Sequence, residues 1–529
     1  MDTMARKYPV GIHTFERIRR ENYVYIDKTD LVWQMTQESP FVFLSRPRRF
    51  GKSLLTSTLE SYFDGQKELF EGLRIMDLET EWKKYPVIKL DLSRAKDRKD
   101  AYDLERVLML LLDPYVSEYG QEEKEKTPGD LLSGLLLRAY KKTGKQVVVI
   151  IDEYDTPLLD VLHEEEMLPE YRRVLQEFYQ PLKASEKMIR FCFITGITKF
   201  SQLSIFSTIN NLTNISLDSR FAAICGITEQ EFTTDMAPDI AMLADKYECT
   251  PEEMHARLKL QYDGYRFAEE SPDIYNPFSL LKCFNHKKVA NYWFDSGTPS
   301  FLIRQLKRFQ TNVTELDDLY EPASSFDRPT EAITTALPLL YQSGYLTIKD
   351  YDFETEIFQL GIPNKEVRIG FTEGLLPVYI GLESGAVQKG FALKLWLALK
   401  KNDIHLAMAE MKAFLAGIPY VEGFKKKLEE VKNYEGFYEY TFWLIFNMLN
   451  VYVRTQVKCA GGRTDFVVHM PDTNYVFELK VNGTAQEALD QINSHNYALP
   501  YSTDGRKLVK VGVQFDRDTM TVGEYIIEH

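Results

Sequence analysis

Three clusters of residues in this chain have the types and spacing that handle phosphate chemistry. The first is Gly51-Lys52-Ser53, which follows the apolar run Phe41-Val42-Phe43-Leu44 and opens an amphipathic segment. Strand, phosphate-sized loop and helix in that order make a P-loop. N–H groups at the helix N-terminus face an anion, Lys52 reaches the terminal phosphates, and the Ser53 hydroxyl can ligate Mg²⁺. The expected nucleotide contacts run from Arg46 through Pro47, Arg48, Arg49, Phe50, Gly51, Lys52 and Ser53 to Leu54. The pattern G-x-x-x-x-G-K-[ST] has Gly where this chain has Arg46.

The second cluster is Asp152-Glu153, at the end of the run Val147-Val148-Val149-Ile150-Ile151. Five β-branched residues in succession mark a strand buried on both faces. An acid at its C-terminal tip sits beside a P-loop and holds Mg²⁺, giving Asp152 with Ser53 as the expected metal ligands. The adjacent Glu153 is placed to polarise an attacking water as general base. A neighbouring buried strand, Arg190 to Thr198, ends in hydroxyls, so Thr195 and Thr198 are candidates to read the γ-phosphate, with Lys199 behind them. A hydroxyl that satisfies strand-end backbone explains the two threonines equally well.

The third cluster lies some 410 residues after Lys52. Asp465 sits in Gly462-Arg463-Thr464-Asp465, the turn Pro471-Asp472-Thr473-Asn474 follows, and Glu478-x-Lys480 lies on the next extended run. Side chains two apart on a strand share a face, and across the hairpin Asp465 can converge with them. Two acids and a strand-borne lysine suit a metal-dependent phosphodiesterase. Asp465 and Glu478 would hold Mg²⁺, and Lys480 would orient the nucleophile. Glu439, near the start of the apolar stretch from Phe437 to Val451, and Gln491, in the helical stretch Thr484 to Tyr497, are weaker candidates. An ordinary solvated sheet face is the bland explanation of the same spacing.

The elements that carry these residues need a large α/β chain, and 529 residues give room for several domains of about 100–200 residues each. The 13% aromatic content argues against extensive disorder. Formal charge is 64 − 78 = −14, so any nucleic-acid surface has to be a local patch. Residues 434–529 carry 8 Lys/Arg and 12 Asp/Glu, a balance of 8 − 12 = −4, which does not favour tight autonomous DNA binding. The five cysteines show no C-x-x-C pair and fit structural thiols in a reducing cytoplasm. No window resembles a signal-peptide core or a membrane span.

Between the clusters, Asp27 is a candidate cap for a helix through Leu31, Val32 and Met35, after a short strand Tyr23 to Ile26. Val87 to Leu92 predicts a strand, and Ala222 to Ile227 one more. From about Phe232 the texture turns to helices and aromatic turns. Arg266 is a candidate γ-phosphate sensor there, against the alternative of an arginine stacked on Tyr265 or Phe267. Leu339 to Ile348, with Phe358 to Leu360, suggests a small winged-helix-like lid. Gly390 to Leu415 predicts helices that connect the lid to the C-terminal part, where Leu508 to Val513 is the last expected strand.

With these motifs in view, the chain resembles the prokaryotic AAA-ATPase-like proteins fused to a C-terminal PD-(D/E)XK nuclease domain. The residues that carry the likeness are Arg46 to Ser53, Val149 to Asp155, Tyr262-Asp263-Gly264-Tyr265, Tyr275-Asn276-Pro277-Phe278, Gly344-Tyr345-Leu346, Pro363 to Val367, Gly462 to Asp465, Phe477 to Lys480 and Ala488 to Ile492. In that family the first P-loop Gly is also replaced by Arg. The resemblance implies an α/β P-loop NTPase with an ASCE-type parallel sheet, a helical and winged-helix-like lid, and a restriction-endonuclease-like α/β domain. The expected segments are 1–232, 233–380, a connector at 381–432, and 433–529. It implies ATP and Mg²⁺ as cofactors and nucleic acid, DNA by expectation, as the partner of the C-terminal domain, with self-association left open. Three functions stay in play: an ATP-regulated nuclease, an ATP-switched protein whose nuclease-like domain recognises a partner or nucleic acid without cutting, and a structural ATP-binding scaffold with slow or no hydrolysis.

Overall fold

The computed structural model describes residues 6–95, 100–162, 164, 166–199, 212–294, 302, 305–306, 308–309, 311, 316–317, 319–328, 334–380, 385–416, 452–459, 462–481, 483–502, 505–516, 519 and 521–529. Over 375–380, 385–390, 392–393, 452–459 and 462–465 it describes the backbone alone. The chain forms two compact units. One comprises Met1–Trp293 and Asp318–Asn364; the other comprises Phe294–Asp317 and Lys365–His529.

The first unit is built on a parallel sheet of β1 (Phe41–Ser45), β2 (Val87–Asp91), β3 (Val147–Asp152), β4 (Ile189–Gly196) and β5 (Thr213–Asn214), in the order β2-β3-β4-β1-β5. Every residue of β3 is buried, as its β-branched run requires. β4 lies between the P-loop strand β1 and the acidic strand β3, the ASCE order. Helices cover the sheet. Lys52–Phe63 follows β1, and Leu55, Leu59 and Phe63 along it are buried. Ala101–Tyr119 and Pro128–Thr143 start at Asp100 and Thr127, whose side chains accept from the N–H groups of Asp103 and Asp130.

Two expected strands of this unit take other forms. Tyr23 to Ile26 contributes only an isolated bridge between Lys7 and Tyr23. Asp27 caps locally all the same, taking the Thr29 N–H and hydroxyl at 2.9 and 2.7 Å. Of Ala222 to Ile227, only Ile227 joins a strand: β6 (Ile227–Thr228) pairs with β7 (Ile274–Tyr275). Ala222, Ile224 and Cys225 are apolar because they are buried in a turn-rich segment, not because they are extended. The fifth parallel strand is instead the exposed pair Thr213–Asn214, which has no apolar pattern to betray it.

The same unit holds a small antiparallel sheet of β8 (Leu319–Pro322), β9 (Thr347–Asp352) and β10 (Ile357–Gly361), in the order β8-β10-β9. Beside it run the short helices Ala323–Phe326 and Leu337–Gln342, with Phe326, Ile348, Phe358 and Leu360 as their shared core. This is the helix-turn-strand expected at Leu339 to Ile348.

The second unit carries a mixed sheet of β11 (Tyr452–Cys459), β12 (Gly462–His469), β13 (Thr473–Lys480), β14 (Lys507–Asp516) and β15 (Thr521–Glu528), in sequence order. β13 and β14 are parallel, and the other pairs are antiparallel. The crossover from β13 to β14 is the helix Ala485–Ser494, started by a capping box of Thr484 and Glu487. β15 follows the strand expected to be last. Helices Gly385–Lys400 and Ile404–Ala416 belong to this unit and are fastened to its sheet. The Tyr475 hydroxyl donates to the Leu399 carbonyl at 3.3 Å, and the Thr521 hydroxyl to that of Lys412 at 3.1 Å. The helix expected from Phe437 to Val451, with Glu439, lies outside the described residues.

Candidate functional site

In the first unit, β4 brings the two halves of the candidate nucleotide site together. Leu44 and Ser45 of β1 stand beside Thr195 and Gly196, and Ile151 of β3 stands beside Ile194. The Arg46 N–H donates to the Gly196 carbonyl and the Tyr154 N–H to the Thr195 carbonyl, both at 3.2 Å. The phosphate loop and the acidic turn therefore hang from the same strand tip.

Gly51 precedes the helix in a left-handed conformation at φ 93°, and no side chain caps the helix. A Cβ built on Gly51 would meet no atom within 4 Å, so the left-handed backbone and not crowding is what favours glycine there. Lys52 is buried, and its ammonium donates to the Arg46 and Pro47 carbonyls at 2.9 Å each. Burial pulls its pKa down, opposed by the nearby Asp152, Asp155 and Glu153 carboxylates.

Asp152 is buried, and burial pushes its carboxyl up; a hydrogen bond with Ser53 and the charge of Lys52 pull the other way. Its Oδ1 takes the Glu153 N–H at 3.0 Å. Thr56 Oγ1 lies 3.5 Å from its Oδ2. A P-loop hydroxyl bonded to a buried carboxylate is the donor set that suits a hard cation beside phosphate oxygens. Glu153 has a left-handed backbone, φ 51°, which costs a non-glycine residue on the order of 1 kcal/mol. Burial raises its pKa as well, with Lys52 as the main opposing influence.

The arginine-rich run in front of Gly51 packs into the same unit. The Arg46 guanidinium is 2% exposed and donates to the carbonyls of Ser45, Ser216 and Phe221 at 2.9, 2.8 and 3.2 Å. It stacks 4.3 Å from the Phe267 ring centre. Arg49 donates to the Tyr292 and Trp293 carbonyls at 2.7 and 2.6 Å and lies over Phe278. Phe50 is buried edge-on against Tyr265 and Phe267. Arg48 alone of the three arginines is exposed.

The remaining candidates also have defined partners. The Thr195 hydroxyl donates to the Leu44 carbonyl at 2.7 Å, the strand-end role of a buried threonine. The hydroxyl of Thr198 goes to Asp155 at 2.6 Å. Lys199 forms a buried ion pair with Asp327. Arg266 sits between Asp273 at 2.7 Å and the Lys349 carbonyl at 2.8 Å. Sequence reasoning gave no role to Asp155, whose Oδ2 accepts from Ile197 N–H, Thr198 N–H and the Thr198 hydroxyl. A third acid so close behind Asp152-Glu153 was its only signal.

In the second unit, Glu478 and Lys480 share a face of β13, as their spacing requires, with Lys480 Nζ 3.6 Å from Glu478 Oε1. Glu478 is 2% exposed, and Gly512 is its neighbour on β14. A buried carboxylate beside a lysine fits a ligand for a divalent cation. Asp465 lies on the backbone of β12, one residue before Phe466; Phe466 pairs with Phe477, one residue before Glu478. The Asp465 side chain lies outside the described residues. Gln491 is half-buried on the crossover helix, 3.5 Å from the Tyr497 hydroxyl. Among the described residues, no three His, Cys, Asp or Glu side chains form a metal-sized cluster, and no helix is long and apolar enough to cross a membrane.

Residues 9–206 match the family model of predicted AAA-ATPases, and residues 433–525 match that of the PD-(D/E)XK nuclease superfamily. Over 535 aligned residues the chain is 34% identical to a protein of Azotobacter chroococcum mcd 1 described as an uncharacterized protein in the vnfD 5′ region. The alignment covers 99% of each chain.

Proposed function

Because the chain belongs to the family of AAA-ATPase-like proteins that end in a PD-(D/E)XK nuclease superfamily domain, we propose that it binds and hydrolyses ATP to regulate or power its own Mg²⁺-dependent phosphodiesterase, with nucleic acid as the substrate. The observation that carries the first half is the meeting of Lys52, Ser53, Asp152 and Glu153 around the tip of β4. Lys52 exchanges the Arg46 and Pro47 carbonyls for the terminal phosphates. Glu153, its proton affinity raised by burial, takes a proton from the attacking water. Ser53 and Asp152 in one unit, and Asp465 and Glu478 in the other, would hold Mg²⁺, which would supply positive charge for phosphate oxygens. Lys480, beside Glu478, holds the nucleophile or the developing negative charge at the second site.

The balance of −4 over residues 434–529, from 8 Lys/Arg and 12 Asp/Glu, favours a second reading in which that domain recognises a partner without cutting. One panel separates the two. Purified chain is incubated with single- and double-stranded DNA and RNA, Mg²⁺ or Mn²⁺, with and without ATP, alongside Lys480→Ala. Cleavage lost in Lys480→Ala and changed by ATP is the expected result. Absence of cleavage under every condition, with wild type matching Lys480→Ala, sinks the nuclease half and leaves the switch.

A further inference from the structure

We propose that Asp155 is a positioning residue for ATP hydrolysis, clamping the acidic turn to the tip of β4 so that Glu153 is held in its left-handed conformation. This inference rests on the reading of Glu153 as general base. Glu153 lies in the turn directly after β3, and a φ of 51° is uncommon for glutamate. Held at a candidate catalytic position, that conformation calls for a local constraint.

Asp155 supplies that constraint. It is fully buried, and its Oδ2 takes the Ile197 and Thr198 N–H groups at 3.0 and 2.7 Å and the Thr198 hydroxyl at 2.6 Å. Tyr154 adds two links, its N–H to the Thr195 carbonyl at 3.2 Å and its hydroxyl to the Thr198 carbonyl at 2.9 Å. The two residues after Glu153 are thus laced to Thr195, Ile197 and Thr198, three residues of β4 and its exit. The fit is close. A Cβ at Gly196 would stand 2.4 Å from Asp155 Oδ1 and 2.7 Å from the Tyr154 ring.

The other end of the clamp is stiff. Beyond Thr198, the Lys199 N–H donates to Gln342 at 2.9 Å and its ammonium pairs with Asp327. The exit of β4 is therefore pinned from both sides, and releasing Asp155 moves the Glu153 turn rather than the strand tip. None of the clamp's hydrogen bonds is made to the Lys52 ammonium, which feels Asp155 only as one of three nearby carboxylates. Loss of the clamp is accordingly felt in turnover and not in nucleotide binding.

The test measures ATP turnover and affinity for a fluorescent ATP analogue in the full-length chain. Its variants are Asp155→Ala, Asp155→Asn, Tyr154→Phe and Glu153→Gln. Asp155→Ala is expected to lower kcat about 100-fold, the scale of an ångström-sized misplacement of a catalytic group. Nucleotide Kd should stay within about threefold of wild type. Asp155→Asn, which keeps the acceptor oxygen, recovers part of the loss, and Tyr154→Phe loses less than Asp155→Ala. Wild-type kcat in Asp155→Ala, or a Kd that worsens in step with kcat, overturns the clamp. If Asp155→Ala does not fold, Asp155→Asn and Tyr154→Phe carry the same comparison of kcat with Kd. Glu153→Gln separates the two layers of the argument. Should it turn over like wild type, the base assignment fails, and the clamp is judged on a crystal structure of Asp155→Asn. Glu153 leaving the left-handed region supports the clamp; Glu153 unchanged overturns it.

Discussion

The two acidic centres of this chain are held by different means. In the first unit, Asp152, Glu153 and Asp155 occupy a turn at the C-terminal edge of a parallel sheet, and their positions depend on β1, β3 and β4 at once. In the second, Glu478 and Lys480 lie on one strand, and the pleat alone sets them on a common face. A turn-built site can be moved by what its neighbouring loops do. A strand-built site changes only if its sheet changes. That contrast suits a first unit that responds to nucleotide state and a second whose chemistry is fixed and needs only access.

The largest effect that could break this contrast is catalytic. Glu153→Gln should lower ATP turnover about 100-fold or more, because a general base contributes at least that much, while nucleotide Kd holds. Glu478→Gln should abolish nucleic-acid cleavage while ATP turnover stays at the wild-type rate. Steady-state hydrolysis and gel-based cleavage assays on both variants check it. If Glu478→Gln also slows ATP turnover, the two centres are not separable in the way the contrast requires.

How far each centre can be read from sequence follows the same division. Glu478 and Lys480 are legible because strand spacing fixes their relation locally. The strand that carries Asp152 is legible because five β-branched residues in succession mark a strand buried on both faces. The arginines are not. Arg46 takes the Ser216 and Phe221 carbonyls, 170 and 175 residues away, and stacks on Phe267, so nothing beside it in the chain says that it points inward. Its place in the P-loop suggested charge for phosphates. Its burial instead fixes the loop to the segment around Tyr265 and Phe267. The two-residue strand Thr213–Asn214 was equally hidden, since two exposed polar residues carry no period. The grouping of Lys365–His529 with the nuclease sheet depends on contacts far apart in sequence, such as Tyr475 with Leu399.

A pair of glycines probes the contrast at intermediate size. A Cβ at Gly512, beside Glu478, would meet the Ala485 carbonyl oxygen at 2.3 Å and the Leu489 nitrogen at 2.6 Å, both backbone atoms of the crossover helix segment. Gly512→Ala should therefore destabilise the second unit by about 3 kcal/mol, since the helix has to lift from β14. At Gly196 the obstructing atoms belong to the side chains of Asp155 and Tyr154 rather than to backbone, and displacing them loosens the clamp on the Glu153 turn. Gly196→Ala should cost less in stability and more in ATP turnover. Chemical denaturation and kcat measured on both variants decide it, and equal stability losses would remove the distinction between a turn-built and a strand-built site.

The smallest effect asks what a buried acid does when it lacks the support that Asp155 enjoys. Asp263 is 2% exposed, with Lys259 3.8 Å away and Asp273 and Glu229 adding like charge. Burial, chiefly, raises its carboxyl to about 6 from an ordinary 3.8; the Gly264 N–H and Lys259 oppose this. Between those two values the folded chain holds a proton that the unfolded chain has released. The stability this confers is complete below pH 3.8 and is lost as pH rises through 6. The loss is on the order of 3 kcal/mol at neutral pH. Asp263→Asn should flatten that part of the pH dependence of the first unit's melting between pH 4 and 7, whereas the wild type should melt lower at pH 7 than at pH 5. Calorimetric scans across that range measure both. Identical pH profiles for the variant and the wild type would mean that burial does not raise the Asp263 carboxyl in the folded chain.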